Sequence, residues 1–422
     1  MTFAPSRSSA RAVRVRTREL PAGTESTVDP GQQVSALLTQ LPSADNVLAW
    51  VRDGDGLVGW GVAAEFRCAG PDRFAAADAW WRELQGTLDV EDEVGLPGTG
   101  AVAFVSMTFA DGPAESVLVV PRVILGQRDG RVWRTEVGGP EATPVQTVRG
   151  PGLVRYAEGQ HSVTRYREAV RTAVRRMRGG ELAKVVLAHD LLASAAEPFD
   201  PRFLLAGLAR RYPSCWAYAV AGLVGATPEL LLRRNGSDFS SRVLAGTMWP
   251  RPEITEDELA AELLASAKNR EEHAYAVRSF VDRLGPLCAA LEAPDTPEVL
   301  RLRNVLHLST DVRGRLHDDG SLLRLAEAVH PTAAVGGTPT PDAVRLIAEL
   351  EGMDRGRYAG PVGWIDGAGD GELGVALRCA QLAGNTARLF AGCGIVADSE
   401  PDTEVAEAGA KLIPVRDALE GA

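Results

Sequence analysis

Lys184 sits in the apolar, β-branched run Ala183-Lys-Val-Val-Leu-Ala188, where a lysine is out of place. A strand covered on both faces seldom carries a lysine unless the amine is paired or used. Desolvation penalises the ammonium form, and a neutral amine can take up a proton, so this residue is a candidate general base. The strand alone also fits a lysine that reaches solvent from the strand end. Glu229 follows Gly225-Ala-Thr-Pro228 and precedes Leu-Leu-Leu. A carboxyl at a turn feeding an apolar strand can stay protonated and act as an acid, although an isolated turn glutamate is commonly just solvated. Glu404, Glu407 and Lys411 are spaced three and then four apart, which puts them on one helical stripe. Two carboxylates a turn apart suit Mg2+, which takes oxygen ligands and keeps some waters. The alternative is an exposed Glu407–Lys411 pair worth about 0.2–0.5 kcal/mol. Glu272, in Lys268-Asn-Arg-Glu-Glu-His273, leaves the same two readings open.

Two further features carry less. Gly336-Gly337-Thr338-Pro339 leads into a helix start whose free NH groups can take an anion. It lacks the GK[ST] of a phosphate loop, so nucleotide binding is not supported. Cys393, in Ala-Gly-Cys-Gly, has no evident partner histidine and reads as structural.

The elements that must position these groups follow from periodicity. Short apolar runs at Asn46–Val51, Ala101–Ser106 and Ser116–Pro121 predict strands. Residues 72–88 predict a helix, and so does the basic stretch 162–178, which stops at Gly179-Gly180. Lys184–His189 predicts a buried strand. Cys215–Val224 and Glu229–Arg234 predict two more, joined by a turn at Gly225–Pro228. One long helix is expected over 255–291, with Val277, Phe280, Val281, Leu284 and Leu287 as its apolar stripe. Another is expected to start at Thr340-Pro341, with Thr340 as cap. A last one follows Pro401, its core face formed by Ala408, Leu412, Val415 and Leu419. Residues 1–30 predict a flexible arm with at most a short edge strand. Residues 31–422 read as a single catalytic domain of sheets covered by helices.

Composition bounds the function. The chain has 422 residues, 45% of them hydrophobic, which supports a large core. A net charge of −11 argues against a general nucleic-acid binder. Five scattered cysteines without a CxxC argue against a disulfide framework or a zinc knuckle and fit a reducing cytoplasm. No apolar stretch approaches the ~20 residues that span a bilayer. The expectation is a cytoplasmic monomer with no membrane or nucleic-acid partner.

Taken together the segments resemble one family. AKVVLA, GATPELLL, LAGT, KNREEH, VLHLSTDVRG, HPTAAVGGTP, DRGRYAGPVGW, GELGVALRCA, LFAGCGIVADSEP and EVAEAGAK follow each other across residues 160–420 in the order seen in the chorismate-utilising enzymes. The resemblance implies an α+β fold: large, mostly antiparallel β-sheets in a sandwich with helices packed outside. It implies chorismate as substrate and Mg2+ as cofactor, with Glu272 and Glu407 as direct ligands and Glu404 beside them. It places Tyr358, Arg378, Gly392 and Lys411 at the enolpyruvyl side chain and its carboxylate. Gly246, Thr247, His307, Ala334 and Leu377 fall in the rest of the substrate pocket. Lys184 falls at the base that activates water and Glu229 at the acid that protonates the leaving hydroxyl.

Within the family, Ala334 with Lys184 favours water over ammonia as nucleophile, because the ammonia-using members carry Thr at the first position and commonly lack the base. The expected activity is therefore that of the isochorismate-forming members, which serve menaquinone, siderophore or salicylate biosynthesis. Formation of salicylate with pyruvate elimination is the alternative, and an ammonia-using synthase component or a catalytically idle binder comes behind it. Two departures from the family pattern stand out: His189, where many relatives have Arg, and Asn269, where an acidic residue is common.

Overall fold

The structure, a computed structural model, describes residues 12–21, 36–251, 253–302, 305–317 and 320–421. Strands such as Val102–Ser106, Ser116–Val120, Trp216–Val220 and Leu223–Thr227 are buried at every residue. Such strands need cover on both faces, and the fold supplies it with two stacked sheets and an outer layer of helices. Among the described residues one sheet has thirteen strands and the other ten. Pairing is antiparallel except between Val13–Glu19 and Leu88–Asp92. The sheets meet at a buried seam: Trp50 and Trp216, from the larger sheet, both donate their indole NH to Glu372 Oε2 of the smaller, at 2.9 and 3.1 Å.

Three elements position the site. The Lys184–Ser194 strand lies in the larger sheet against Thr386–Ile395, with Val186 opposite Gly394. The Asp238–Met248 and Val305–Leu316 strands pair in the smaller sheet and place Thr247 opposite His307. The C-terminal helix, Pro401–Glu420, packs on Thr386–Ile395 and on the helices Val163–Arg178 and Pro201–Arg211. Its expected core residues Ala408, Leu412, Val415 and Leu419 are all buried.

The structure corrects four expectations. Residues 13–19 are no loose arm: they form a strand between Arg131–Val137 and Leu88–Asp92, with Val15 and Thr17 fully buried. The Thr17 and Thr135 hydroxyls bond at 2.8 Å, which turns a polar residue inward. Residues 1–11 and 22–30 of the expected arm lie outside the described residues. The long helix is two, Glu256–Ala265 and Ala267–Leu284, because Ser266 leaves helical geometry and caps the second helix by accepting from Asn269 NH; it ends before 291, Leu287 being exposed in a 3-10 turn ahead of the Cys288–Glu292 strand. The turn expected at 225–228 falls instead at Ala221-Gly222, both with positive φ, so Gly225, Ala226 and Thr227 lie in a strand. Thr340 is already helical, with Pro339 in the cap position. No helix among the described residues is long and apolar enough to cross a membrane.

Candidate active site

A cleft between the sheets, closed by the C-terminal helix and Ala267–Leu284, gathers every residue that the resemblance assigns to the site: Lys184, Glu229, Gly246, Thr247, Glu272, His307, Ala334, Tyr358, Leu377, Arg378, Gly392, Glu404, Glu407 and Lys411. Lys184 is the first residue of its strand and is buried, not solvent-reaching. Its amine donates to Glu272 Oε1 at 2.7 Å. Of the two readings left open for it, the solvent-reaching one is therefore excluded: the lysine faces a carboxylate of the expected metal site. Burial pushes the Glu272 carboxyl up, but the charge and hydrogen bond of Lys184 outweigh it and bring the carboxyl below its ordinary value. Gly394 makes room for this pair. A Cβ there would stand 2.8 Å from Lys184 Cε and 3.4 Å from Glu272 Oε1.

Glu229 is in the opposite situation. Its carboxyl is buried, accepts no side-chain hydrogen bond among the described residues, and is pushed up to about 8 by desolvation against the opposing pull of Lys184. It is protonated at neutral pH. One cleft thus holds a lysine and a protonated carboxylic acid.

Arg378, with φ of 48°, projects a buried guanidinium into the cleft. Nη2 lies 3.3 Å from His307 Nε2, while Nη1 has no hydrogen-bond partner. Burial first, then the charges of Arg378 and Lys411, depress the His307 imidazole well below its ordinary value. A guanidinium only donates, so Nε2 accepts and Nδ1–H donates to Thr247 Oγ1, 3.0 Å away. An orphaned guanidinium NH in a closed cleft calls for an anion, and a planar carboxylate matches its fork. Tyr358 stacks on Phe390 with rings 5.0 Å apart and 6° from parallel.

The carboxylates fit a hard divalent cation. Glu272 and Glu407 feel each other's charge, and each is neutralised by a lysine: Glu272 by Lys184, and Glu407 by Lys411 at 2.8 Å. Lys411 also donates to Gly392 O at 3.0 Å. Burial opposes its charge, but Cys393 and Glu407 outweigh it and keep the ammonium protonated. Ligand atoms of Cys393, Glu404 and Glu407 lie within 4.8 Å of one another. Of these only the two carboxylates offer the oxygen donors that Mg2+ uses, with water completing its shell, and the Cys393 sulfur is too soft for it; Glu272 lies outside this group.

The two departures now have partners. Asn269 accepts from Thr247 NH at 3.3 Å and donates to Ser266 Oγ at 3.0 Å, so it braces the cleft wall. His189 is buried with its ring 5.1 Å from that of Tyr166. Desolvation, then His161, depresses it to about 4, so it is neutral. Sequence reasoning missed Val186, Arg355, Phe390 and Gly394 in the lining. Phe390, Gly392 and Gly394 share one strand face at period two, a signal the sequence contained. Arg355 had none.

These observations define a two-sheet α+β protein whose cleft gathers a lysine, a protonated carboxyl and a guanidinium with an unpartnered NH. The family model for the chorismate binding enzymes matches residues 144–420. The chain is 34% identical over 407 residues to the salicylate biosynthesis isochorismate synthase of Pseudomonas aeruginosa, covering 88% of this chain and 84% of that protein. It is 44% identical over 258 residues to a putative isochorismate synthase MenF of Mycobacterium tuberculosis, covering 57% of this chain and 68% of that one. Among solved structures, a putative 2,3-dihydroxybenzoate-specific isochorismate synthase, DhbC, from Bacillus anthracis superposes with a TM-score of 0.76 at 29% identity, over 91% of this chain and 98% of that one. The chain belongs to the chorismate-binding enzyme family.

Proposed function

We propose that the chain is an isochorismate synthase, an isomerase that converts chorismate reversibly to isochorismate. The observation that carries this reading is the pairing, in one closed cleft, of Lys184 with the protonated carboxylic acid of Glu229. Water attacks ring carbon 2 and gives its proton to Lys184. The double bond migrates, and the carbon 4 hydroxyl leaves as water with the proton of Glu229. A base and an acid in separate places are what this exchange requires. Arg378 takes the side-chain carboxylate, with Tyr358 and Lys411 beside it. Ala334, being small and apolar, offers no hydroxyl to hold an alternative nucleophile.

Glu272 and Glu407 would hold Mg2+ directly, with Glu404 outside them. When bound, the ion supplies the positive charge that neutralises and orients the ring carboxylate. Were Glu272 held by the ion and no longer by Lys184, to which its Oε1 now lies 2.7 Å away, the amine would be free to face water. A cytoplasmic monomer belongs to the same proposal.

The test is incubation of the purified chain with chorismate and Mg2+, followed by chromatography. Isochorismate is the expected product. Salicylate with pyruvate would replace this reading with the salicylate-forming one. A product aminated only in the presence of ammonium would replace it with the ammonia-using one, and no turnover would leave a binding protein. For the metal site, Mg2+ at a hundredfold excess over its Kd should stabilise the chain by about 2.7 kcal/mol. Thermal melts should show this shift in the native chain and lose it in Glu407→Gln. A full shift in that variant would remove Glu407 from the ligand set.

A further inference from the structure

Arg355 is buried with Glu351, the last residue of the Thr340–Glu351 helix four positions before it, their side chains 3% and 0% exposed. Arg355 Nε donates to Glu351 Oε2 at 2.9 Å, and Nη2 donates to the other oxygen. The remaining donors leave the pair. Nη1 reaches Val335 O at 3.1 Å and Nη2 reaches Val186 O at 2.7 Å. Glu351 Oε1 in turn accepts from Ala188 NH at 2.8 Å. The guanidinium carbon sits 4.3 Å above the Phe109 ring, which fixes the plane of the fork.

These contacts join two segments far apart in the chain. Val335 follows Ala334, which faces the cleft, and Val186 lies two residues beyond Lys184. One neutral, buried pair therefore clamps, from its side chains, two segments that also pair through Lys184–Val185 and Gly337–Thr338, beside the candidate base and Ala334. A lysine at 355 could not do this, because its point charge lacks the rigid fork that serves a carboxylate and two carbonyls together.

We infer that Arg355 is a positioning residue, held by Glu351, that sets the gap between the Lys184 amine and Ala334 in which the attacking water is placed. This rests on the proposed function. A displacement on the order of 1 Å at a reacting centre can cost a hundredfold in rate. Substrate binding, in the proposed function, depends on Arg378, Tyr358 and Lys411, to which the pair makes no hydrogen bond; its guanidinium lies 6.0 Å from the centre of the Tyr358 ring.

Two variants test it. Arg355→Lys keeps the charge and loses the fork. The double variant Glu351→Leu/Arg355→Met replaces the pair by apolar groups of similar volume, an exchange that buried ion pairs often tolerate without loss of stability. Rates are normalised to the folded fraction read by circular dichroism and melting. The expected result is a kcat lower by roughly thirty- to a hundredfold in both variants, with KM for chorismate within about threefold of the native value. The Mg2+-induced shift in Tm should be retained. A folded variant that keeps kcat within about threefold, or one in which KM rises in step with the loss of kcat, would overturn the inference. The split is read on whatever product the native chain forms, so the product assignment and the positioning role fail separately. A native chain without turnover overturns both.

Discussion

Replacing Lys184 by alanine should lower kcat roughly a thousandfold, within the range that a positioned general base contributes. The structure adds a second consequence. Lys184 is the partner of Glu272, and its loss leaves that carboxylate beside Glu407 with one lysine fewer. Breaking a largely buried pair costs on the order of 3 kcal/mol, so Lys184→Ala should melt earlier without Mg2+ and recover part of the loss when the ion is added. Lys184→Arg separates the two effects. Arginine keeps the positive charge but does not give up its proton in a protein, so that variant should keep Glu272 satisfied and still fail to turn over. Product formation by Lys184→Arg at more than about a tenth of the native rate would remove residue 184 from the role of base, because a group that cannot be deprotonated cannot take a proton from water.

The ingredients of the cleft were legible in the sequence because each breaks a local rule. A lysine in AKVVLA, a glutamate ahead of three leucines and carboxylates at helical spacing are polar groups where apolar ones belong. The order of ten segments then gave the family, and with it the sandwich. The pairing of Lys184 with Glu272 was not legible, since residues 88 apart meet only through tertiary packing. Ser266 hides its helix break inside a continuous polar and apolar rhythm: serine favours caps, but it is also tolerated on an exposed helix face, so the residue type alone does not mark the break. The Val13–Glu19 strand was expected at most as a short edge strand, because alternating arginines conceal the buried Val15 and Thr17, whose pairing partners lie more than seventy residues away. Arg355 is one of many arginines in the chain, and only its tertiary surroundings, the buried Glu351 and the two carbonyl acceptors, distinguish it from a solvated one.

Replacing Glu229 by glutamine should separate stability from activity. The carboxyl is desolvated and pushed up to about 8, whereas its ordinary value is 4.5. The folded chain therefore favours the protonated form more than the unfolded chain does. The associated stability is fully present below pH 4.5 and is lost as pH rises through about 8. At pH 7 the lost part amounts to about 3 kcal/mol, at about 1.4 kcal/mol per unit. Glutamine keeps the shape and cannot ionise, so Glu229→Gln should melt higher than the native chain at pH 7, and the difference should vanish near pH 4.5. Its kcat should nonetheless fall by about a hundred- to ten-thousandfold, because an amide does not protonate a leaving hydroxyl. The native pH profile should agree: kcat/KM is expected to fall as pH passes about 8, where the acid loses its proton. The residual rate of the variant should lack that limb. A variant as active as the native chain would exclude Glu229 as the acid. An active-site carboxyl whose removal stabilises the fold and stops the reaction is instead held there, at a cost to stability, by what the chemistry requires.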